Sequence, residues 1–425
     1  MTLLTGDAER LLRLWLGQPL KEVQYIIGFQ SFGGRVLALD RRPRVARIWF
    51  LPPIRPIAGV TYIAHAKNDD LNGPFKSLNA RVARRAEFAS ETALQEFLTW
   101  YCTSSPAILW IDRESEGFPA TAIPNGLGRL DTSWDEILWA AITVGRPNTF
   151  HVFRHGDASL HEARFRWSMI RMALQQRTVA SHKIIRTELF KQMDPTEKGA
   201  VNYFLGLALC KLFAWKLLDA PWTIHLDVFR NWLAPGLLSG RSRPDMVAQS
   251  QSSGAWHAFE CKGRASTPGT EEKRKAKAQA QRLVSVGGAA CQLHIGCITY
   301  FRKDAVEFYW RDPEPDKRDG MDLPETPAMW APYYEPFYRA FRHAQVADGR
   351  TRAYPDGFAE MPALDILLGV HPKIERYLAN EDWPSARNAA NDLQEMFIND
   401  GYQPDGLKVV AGSSWSEARD VGELR

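Results

Sequence analysis

Cysteines are sparse in this chain of 425 residues, and their spacing matches no metal or redox motif. The five are Cys102, Cys210, Cys261, Cys291 and Cys297. An odd, scattered set excludes a dense disulfide framework, and no two positions form the CxxC pair of a zinc knuckle or a thiol redox centre. We therefore expect reduced thiols and a cytoplasmic protein.

The chain also lacks an uninterrupted apolar run of membrane-spanning length. Its most apolar long stretch, 200–218, contains Lys211 and Lys216 at positions that would lie in hydrocarbon. Three of the first ten residues are charged, which does not fit the apolar core of a secretion signal. We expect a buried helix at 200–218 and no contact with a membrane.

No excess of one charge sign identifies a partner. The 53 basic and 49 acidic residues leave a formal net charge of +4, so a nucleic-acid partner would have to be recognised by a local basic patch. With 45% hydrophobic and 24% charged residues, the composition fits a globular chain with two or three cores. The sequence shows no repeat period or low-complexity tract, which excludes a solenoid.

Polar joins divide the sequence into three predicted regions. Residues 1–182 mix β-rich runs with a helix that Ser90 would cap, which indicates an α+β region for recognition or partner binding. Residues 183–312 alternate helices and strands. The segment 311–320 has the composition of a linker, and residues 313–425 are predicted to be mainly helical, with one short strand at 407–411.

The middle region has a regular order of predicted elements. Asp194, Pro195 and Glu197 form a strong helix start, and apolar side chains then recur with helical spacing. The predicted elements after this helix are a strand at 223–229, a hairpin of 245–249 and 256–263, a lysine-rich helix at 271–286, and strands at 291–301 and 305–310.

The hairpin carries the most informative residues of the sequence. Side chains alternate faces along a strand, so Glu260 and Lys262 share one face while Cys261 points to the other. Asp245 on the neighbouring strand would come within reach of Glu260. The two carboxylates, with the main-chain carbonyl of Cys261, could hold one Mg²⁺ or Mn²⁺. Such an ion activates water for phosphodiester hydrolysis, and the Lys262 ammonium would orient the attacking hydroxide or pair with a phosphate oxygen.

Pro244-Asp245 and Glu260-Cys261-Lys262 resemble the motif of the PD-(D/E)XK nuclease superfamily. The resemblance covers residues 183–311 and implies a restriction-endonuclease-like core, in which helices flank a central mixed sheet of the α+β or α/β class. It also implies that Asp245 and Glu260 are metal ligands and that Lys262 is the catalytic lysine. An acidic residue on the preceding helix often joins such a site, which here would be Glu197.

The motif is short, so its context matters. Pro-Asp also occurs at 315–316, 355–356 and 404–405, but no acid-x-Lys triplet follows those positions. Glu271-Glu272-Lys273 has the triplet pattern but opens a predicted helix, where its residues would not share a face. One alternative is a surface hairpin with a solvated Glu and Lys. Glu197 could equally close a capping box at the start of its helix.

Basic residues near the motif are candidates for nucleic-acid contact. They are Arg241 and Arg243 before the motif and Lys273 and Lys277 after it, and the neutral Gln281 is a further candidate. Cations at these places would draw a phosphate backbone towards carboxylates that repel it. The alternative is a solvated lysine face. No tyrosine lies four residues after Gln281 or the nearby Gln279, so the subgroup with a Gln-x-x-x-Tyr motif is not predicted.

Two other patterns in residues 1–182 have weaker functional interpretations. Arginine clusters at 41–47 and 81–85 could extend a DNA-binding surface, but such runs are more often solvated turns and helix faces. Arg154-His155-Gly156 after an apolar run resembles the start of histidine phosphatases, in which the histidine takes up a phosphoryl group. No partner set follows it, so a strand end with an exposed histidine is the competing interpretation.

The sequence thus predicts a Mg²⁺- or Mn²⁺-dependent endonuclease that acts on DNA in preference to RNA. By analogy with superfamily members that carry large extensions, it would be an effector of a bacterial anti-phage or restriction system. The alternative is a catalytically idle nuclease fold that binds or scaffolds. Residues 1–182 or 313–425 would then provide surfaces for a second copy or a partner protein.

Overall fold

The described residues form a fold of the mixed α+β class, with three β-sheets and helices packed around them. A computed structural model describes residues 2–103, 108–119, 122–145, 155, 157–178, 181–232, 243–312, 321–347 and 357–416. The predicted class is therefore confirmed at this level.

The described helices and strands follow in chain order. The α-helices are α1 (Thr5–Leu16), α2 (Glu91–Cys102), α3 (Trp134–Thr143), α4 (Asp157–Ala173), α5 (Glu188–Gln192), α6 (Pro195–Leu218), α7 (Thr270–Ala280), α8 (Ala331–Ala347), α9 (Pro372–Ala379), α10 (Trp383–Asp392) and α11 (Gln394–Asn399). The strands are β1 (Lys21–Glu22), β2 (Ile26–Gln30), β3 (Val36–Asp40), β4 (Arg47–Phe50), β5 (Val60–Ile63), β6 (Arg84–Phe88), β7 (Leu109–Glu116), β8 (Gly126–Thr132), β9 (Leu174–Thr178), β10 (Ser181–Arg186), β11 (Trp222–His225), β12 (Met246–Gln249), β13 (Trp256–Gly263), β14 (Leu283–Val286), β15 (Ala289–Arg302), β16 (Ala305–Arg311), β17 (Met321–Leu323), β18 (Phe358–Met361), β19 (Ile366–Val370) and β20 (Leu407–Ala411).

The first sheet is antiparallel and has the order β1-β2-β3-β4-β6-β5. Apolar residues of α1 and α2 pack with its buried side chains in one core. The predicted cap of α2 is confirmed, because the Ser90 side chain accepts a hydrogen bond from the backbone N–H of Ala93. This part of the chain is the α+β region that its alternating runs predict.

The second sheet contains the motif strands. Its order is β11-β12-β13-β15-β16-β10-β7-β8, with β9, β14 and β17 at its margins. β12 and β13 are antiparallel, whereas β13 and β15 are parallel, so the sheet is mixed. Two helices flank β13: Cys210 of α6 contacts Cys297, the partner of Cys261 in the ladder, and Gln279 of α7 contacts Lys262. Because successive residues of a strand point to opposite faces, α6 and α7 lie on opposite faces of the sheet.

The boundary predicted near residue 182 lies within the second sheet. β7 runs parallel to β16 over 112–116 and 307–311, so strands from both sides of that position form one sheet. The polar segment interpreted as a join is instead an antiparallel pair of β9 and β10. The core that contains this sheet extends from Leu109 to Trp415. A strand needs a neighbour for its main-chain hydrogen bonds, and that neighbour can come from a distant part of the sequence.

Residues after 320 form helices and a third sheet, β18-β19-β20. The predicted helices and the strand at 407–411 are present, but the prediction of a mainly helical region missed β18 and β19. These two strands are short, and a tight turn with Asp365 in the left-handed conformation connects them. Phe32, which follows β2 of the first sheet, packs against Phe358, Leu367 and Val410 of the third sheet.

Three predicted elements of the middle region have different bounds. The lysine-rich helix ends at Ala280, and residues 283–286 form β14 instead. The strand predicted at 223–229 ends at His225 and continues as the 3-10 helix Leu226–Trp232. α6 begins as predicted, with Asp194 as N-cap. It is the single described helix that is long and apolar enough to cross a membrane, and most of its apolar segment is buried inside the protein.

Candidate active site

The hairpin of β12 and β13 brings the predicted site residues together. Met246 lies opposite Phe259, and the backbone N–H of Asp245 donates to the Phe259 carbonyl over 3.0 Å. This register places Asp245 beside Glu260 on the next strand, as directly opposite residues share a face. The predicted hairpin and its register are therefore confirmed.

The Asp245 carboxylate is fixed to the motif strand by a hydrogen bond. Its Oδ2 accepts the backbone N–H of Cys261 over 2.8 Å. Burial raises the pKa of Asp245, and this N–H opposes the shift because it stabilises the charged form. One carboxylate oxygen thus has a structural partner, and the carboxyl group also lies within hydrogen-bonding reach of the Glu260 side chain.

Glu260 is almost completely buried, with 3% of its surface exposed. Its Oε1 accepts a hydrogen bond from the Lys262 ammonium over 2.7 Å, which confirms that the two side chains share a face. Its Oε2 is also buried and has no hydrogen-bond partner within the described residues. Burial, followed by the charge of Asp245, raises the pKa of Glu260 to about 8, against the opposing effect of Lys262.

This donor set fits a small divalent cation. A buried carboxylate oxygen without a donor is unfavourable unless a proton or cation reaches it, and hard oxygen ligands suit Mg²⁺ or Mn²⁺. The described residues contain no group of three His, Cys, Asp or Glu side chains arranged to hold a metal ion, so backbone oxygen or water would have to complete the coordination shell. The Cys261 carbonyl stays a predicted ligand. The Cys261 thiol lies on the opposite, buried face of the strand, and burial raises its pKa well above the usual value.

Gln279 of α7 belongs to this site, although the sequence analysis considered it only for a Gln-x-x-x-Tyr motif and did not include it among the site residues. Its Oε1 accepts a second hydrogen bond from the Lys262 ammonium, over 2.9 Å. Lys262 is thereby held between one carboxylate and one amide. The available signal was positional, because Gln279 lies three residues after the buried Ala276 and therefore near the face of α7 that packs on the sheet.

Glu197 is not brought to the cluster. It is exposed in the first turn of α6, and no described hydrogen bond or ion pair connects it with Asp245, Glu260 or Lys262. The helix contacts the motif strand at Asn202 and Gly206, which lie roughly 7–14 Å further along its axis than Glu197 at 1.5 Å per residue.

Two of the predicted nucleic-acid contacts are engaged inside the protein. Arg243 forms an ion pair with Asp227. The Lys273 ammonium lies 3.3 Å from a Glu114 oxygen of β7 and 3.8 Å from the centre of the Tyr309 ring. Because these cations already have partners, their contact with phosphate would require an exchange of partners.

The other predicted contacts lie outside this network or outside the described part of the chain. Arg241 falls outside the described residues, as does the side chain of Lys277, which lies on α7. Gln281 is half-buried in the turn after α7. Of the phosphatase-like tripeptide, Arg154 and Gly156 are outside the described residues, and His155 is exposed immediately before α4.

The first arginine cluster is largely used for internal ion pairs. These pairs are Arg41 with Glu9 and Glu22, Arg42 with Asp40, and Arg47 with Glu87. In the second cluster, Arg84 and Arg85 donate to backbone carbonyls. This pairing agrees with the interpretation of both clusters as ordinary protein surface.

Comparisons of the chain with protein-family models, curated proteins and solved structures gave no match. The assignment to the PD-(D/E)XK superfamily therefore stays a prediction that depends on the motif residues and their geometry.

Proposed function

We propose that this chain is a metal-dependent nuclease that hydrolyses phosphodiester bonds, with DNA preferred over RNA. The observation that supports this proposal is the convergence of Asp245, Glu260 and Lys262, with one buried Glu260 oxygen left unpaired. Keeping two carboxylates together in a buried place is unfavourable for folding, which favours a functional reason for their presence.

The arrangement of elements around the motif supports the same proposal. α6, the strands β11, β12 and β13, then α7 and β15 follow one another in the order that the resemblance implies. Asp245 directly precedes β12, and Glu260 and Lys262 lie on the adjacent strand β13, with a helix on either face of the sheet. The fold thus provides a rigid support for the three side chains.

Each side chain has a role that its surroundings favour. Asp245 and Glu260 would hold Mg²⁺ or Mn²⁺, which supplies water activation and charge neutralisation when bound. Glu260 must first give up its proton, since its pKa is raised to about 8. Lys262 would then turn its ammonium towards the attacking water or a phosphate oxygen, while Gln279 keeps it in position.

Plasmid cleavage tests the proposal directly. Wild type should nick or linearise plasmid DNA with Mg²⁺ or Mn²⁺ and not with EDTA. Asp245→Ala and Lys262→Ala should lose at least about two orders of magnitude in rate, as expected when charge stabilisation of the transition state is removed. Glu197→Gln is the matched control and should retain activity, because its carboxylate is exposed outside the cluster. Undiminished cutting by both motif variants would overturn the assignment.

The second candidate is a catalytically idle member of the same fold. The observation in its favour is that Lys262 is already satisfied by Glu260 and Gln279, and no third acidic ligand joins the two carboxylates among the described residues. Calorimetry with Mn²⁺ separates the candidates, because an idle site would take up no metal while the protein still bound duplex DNA.

A further inference from the structure

Tyr203 lies on the turn of α6 that is pressed against the motif strand. Added Cβ atoms would lie 1.7 Å from the Asn202 carbonyl oxygen at Gly263 and 3.0 Å from the Lys262 main chain at Gly206. The helix therefore touches the backbone of the motif strand, which requires glycine on both sides. Between these contacts, Tyr203 remains 46% exposed.

The Tyr203 hydroxyl has one partner, and the direction of that hydrogen bond can be assigned. The Tyr203 oxygen lies 3.2 Å from Nε2 of His225, a residue of β11 opposite Met246. Nδ1 of the same ring accepts the backbone N–H of Asp227. Burial lowers the pKa of His225 to about 4, so the ring is neutral and its one N–H is on Nε2. His225 donates, and Tyr203 accepts.

The hydroxyl hydrogen of Tyr203 is consequently left for another acceptor. No acceptor for it occurs among the residues that the structure describes. Burial of the oxygen and the charge of the nearby Asp245 raise the pKa of Tyr203, so the hydroxyl keeps its hydrogen throughout the physiological range. A partly exposed side chain thus presents a neutral donor close enough to Asp245 and Glu260 for their charges to raise its pKa.

We propose that Tyr203 is a substrate-positioning residue that donates a hydrogen bond to a non-bridging phosphate oxygen of the nucleic-acid backbone. The inference depends on the proposed nuclease function and adds a contact to it. Tyrosine hydroxyls commonly bind phosphate oxygens. A neutral donor suits this place because a lysine or arginine would pair with Asp245 or Glu260 instead of the substrate.

Tyr203→Phe tests the contact because it removes only the oxygen. The probe is a fluorescent DNA duplex, cleaved with Mg²⁺ or bound with Ca²⁺ in its place. Cleavage efficiency and duplex affinity should fall about ten- to hundredfold, the range expected for a hydrogen bond to a charged group. Mn²⁺ affinity measured by calorimetry should not change. The salt dependence of binding should also keep its slope, since a neutral donor releases no counterions.

Two controls locate the effect at a phosphate. Tyr25, which precedes β2 of the first sheet, is comparably exposed. Tyr25→Phe should therefore leave cleavage efficiency and duplex affinity unchanged. A duplex with neutral methylphosphonates around the cleaved bond should weaken wild type, and Tyr203→Phe should lose nothing further on it. If Tyr203→Phe lowers affinity and cleavage on that duplex as much as it does on the unmodified duplex, the inference is wrong.

The outcomes also separate this inference from the proposed function. If wild type cleaves and Tyr203→Phe cleaves and binds equally well, the Tyr203 contact is wrong while the nuclease stands. If Tyr203→Phe loses Mn²⁺ affinity in parallel with cleavage, its role is structural and the inference is also wrong. If wild type only binds, and Tyr203→Phe binds more weakly, hydrolysis is overturned and the phosphate contact is supported. Absence of both cleavage and binding overturns both.

Discussion

Replacing Glu260 by glutamine should stabilise the metal-free protein at alkaline pH while it abolishes cleavage. Glu260 is buried beside Asp245, and one of its oxygens lacks a hydrogen-bond partner in the described structure. Glutamine has nearly the same shape, cannot ionise, and its side-chain oxygen can still accept a hydrogen bond from Lys262. The variant therefore removes a buried ionisable group without opening a cavity.

The magnitude follows from the shift in pKa. The folded protein raises the pKa of Glu260 from 4.5 to about 8. Between these values the folded state holds a proton that the unfolded state has lost, so the free energy of unfolding falls as the pH rises. At about 1.4 kcal/mol per pKa unit, wild type loses about 3 kcal/mol by pH 7 and about 5 kcal/mol above pH 8. The glutamine variant should not show this loss.

Urea unfolding in EDTA, followed by tryptophan fluorescence, measures the difference. Between about pH 5.5 and about pH 8.5, the stability advantage of Glu260→Gln over wild type should grow by about 3 kcal/mol. Addition of Mn²⁺ at the higher pH should stabilise wild type more than the variant, because the ion binds the ionised carboxylate.

Glu197→Gln is the matched control for this experiment. Its carboxylate is exposed, so its advantage over wild type should not change with pH. A constant difference between Glu260→Gln and wild type at all pH values would refute the reasoning, since it would show that Glu260 ionises normally in the folded protein.

Three further predictions concern the metal, the lysine and the core. Mn²⁺ affinity measured by calorimetry should rise about tenfold per pH unit below pH 8 and then level off, because Glu260 must release one proton to bind the ion. Calorimetry in buffers of different ionisation enthalpy measures this released proton. An affinity that does not change with pH would contradict the prediction. Gln279→Ala should lower the cleavage rate about tenfold with unchanged Mn²⁺ affinity, because only the position of Lys262 changes; an equal loss of metal binding would argue against it. Lys211→Met should destabilise the protein by about 3 kcal/mol in urea, because it removes the hydrogen bonds that the buried Lys211 amine donates to the Pro221 carbonyl and the Tyr333 hydroxyl; wild-type stability would show that these bonds are not needed.

The sequence predicted the parts of this site that depend on local rules. Strand alternation placed Glu260 and Lys262 on one face, and the turn between the two runs fixed the neighbouring position of Asp245. Cap residues located the starts of α2 and α6 for the same reason, since a cap bonds to atoms only two or three residues away.

The parts that failed depend on contacts between distant segments. Lys273 looks free on its own helix, but its partner Glu114 lies 159 residues earlier. Trp310 of β16 donates a hydrogen bond to Ser115 of β7, which is 195 residues away. No spacing pattern along the chain predicts contacts between residues so far apart. The placement of Glu197 failed for a related reason, because the resemblance names the helix that carries the acidic residue but not the turn at which this helix meets the sheet.

The pairing of β7 with β16 has a practical consequence for dissecting this protein. A fragment that starts at residue 183 would keep β16 but lose its parallel neighbour over 307–311. A row of unpaired main-chain N–H and C=O groups of β16 would then face water. Exposed strand edges of this kind pair with strands of other chains and cause aggregation. A fragment designed to contain the Asp245, Glu260 and Lys262 motif should therefore begin ahead of Leu109, and a truncation at 183 should aggregate even though it retains the motif.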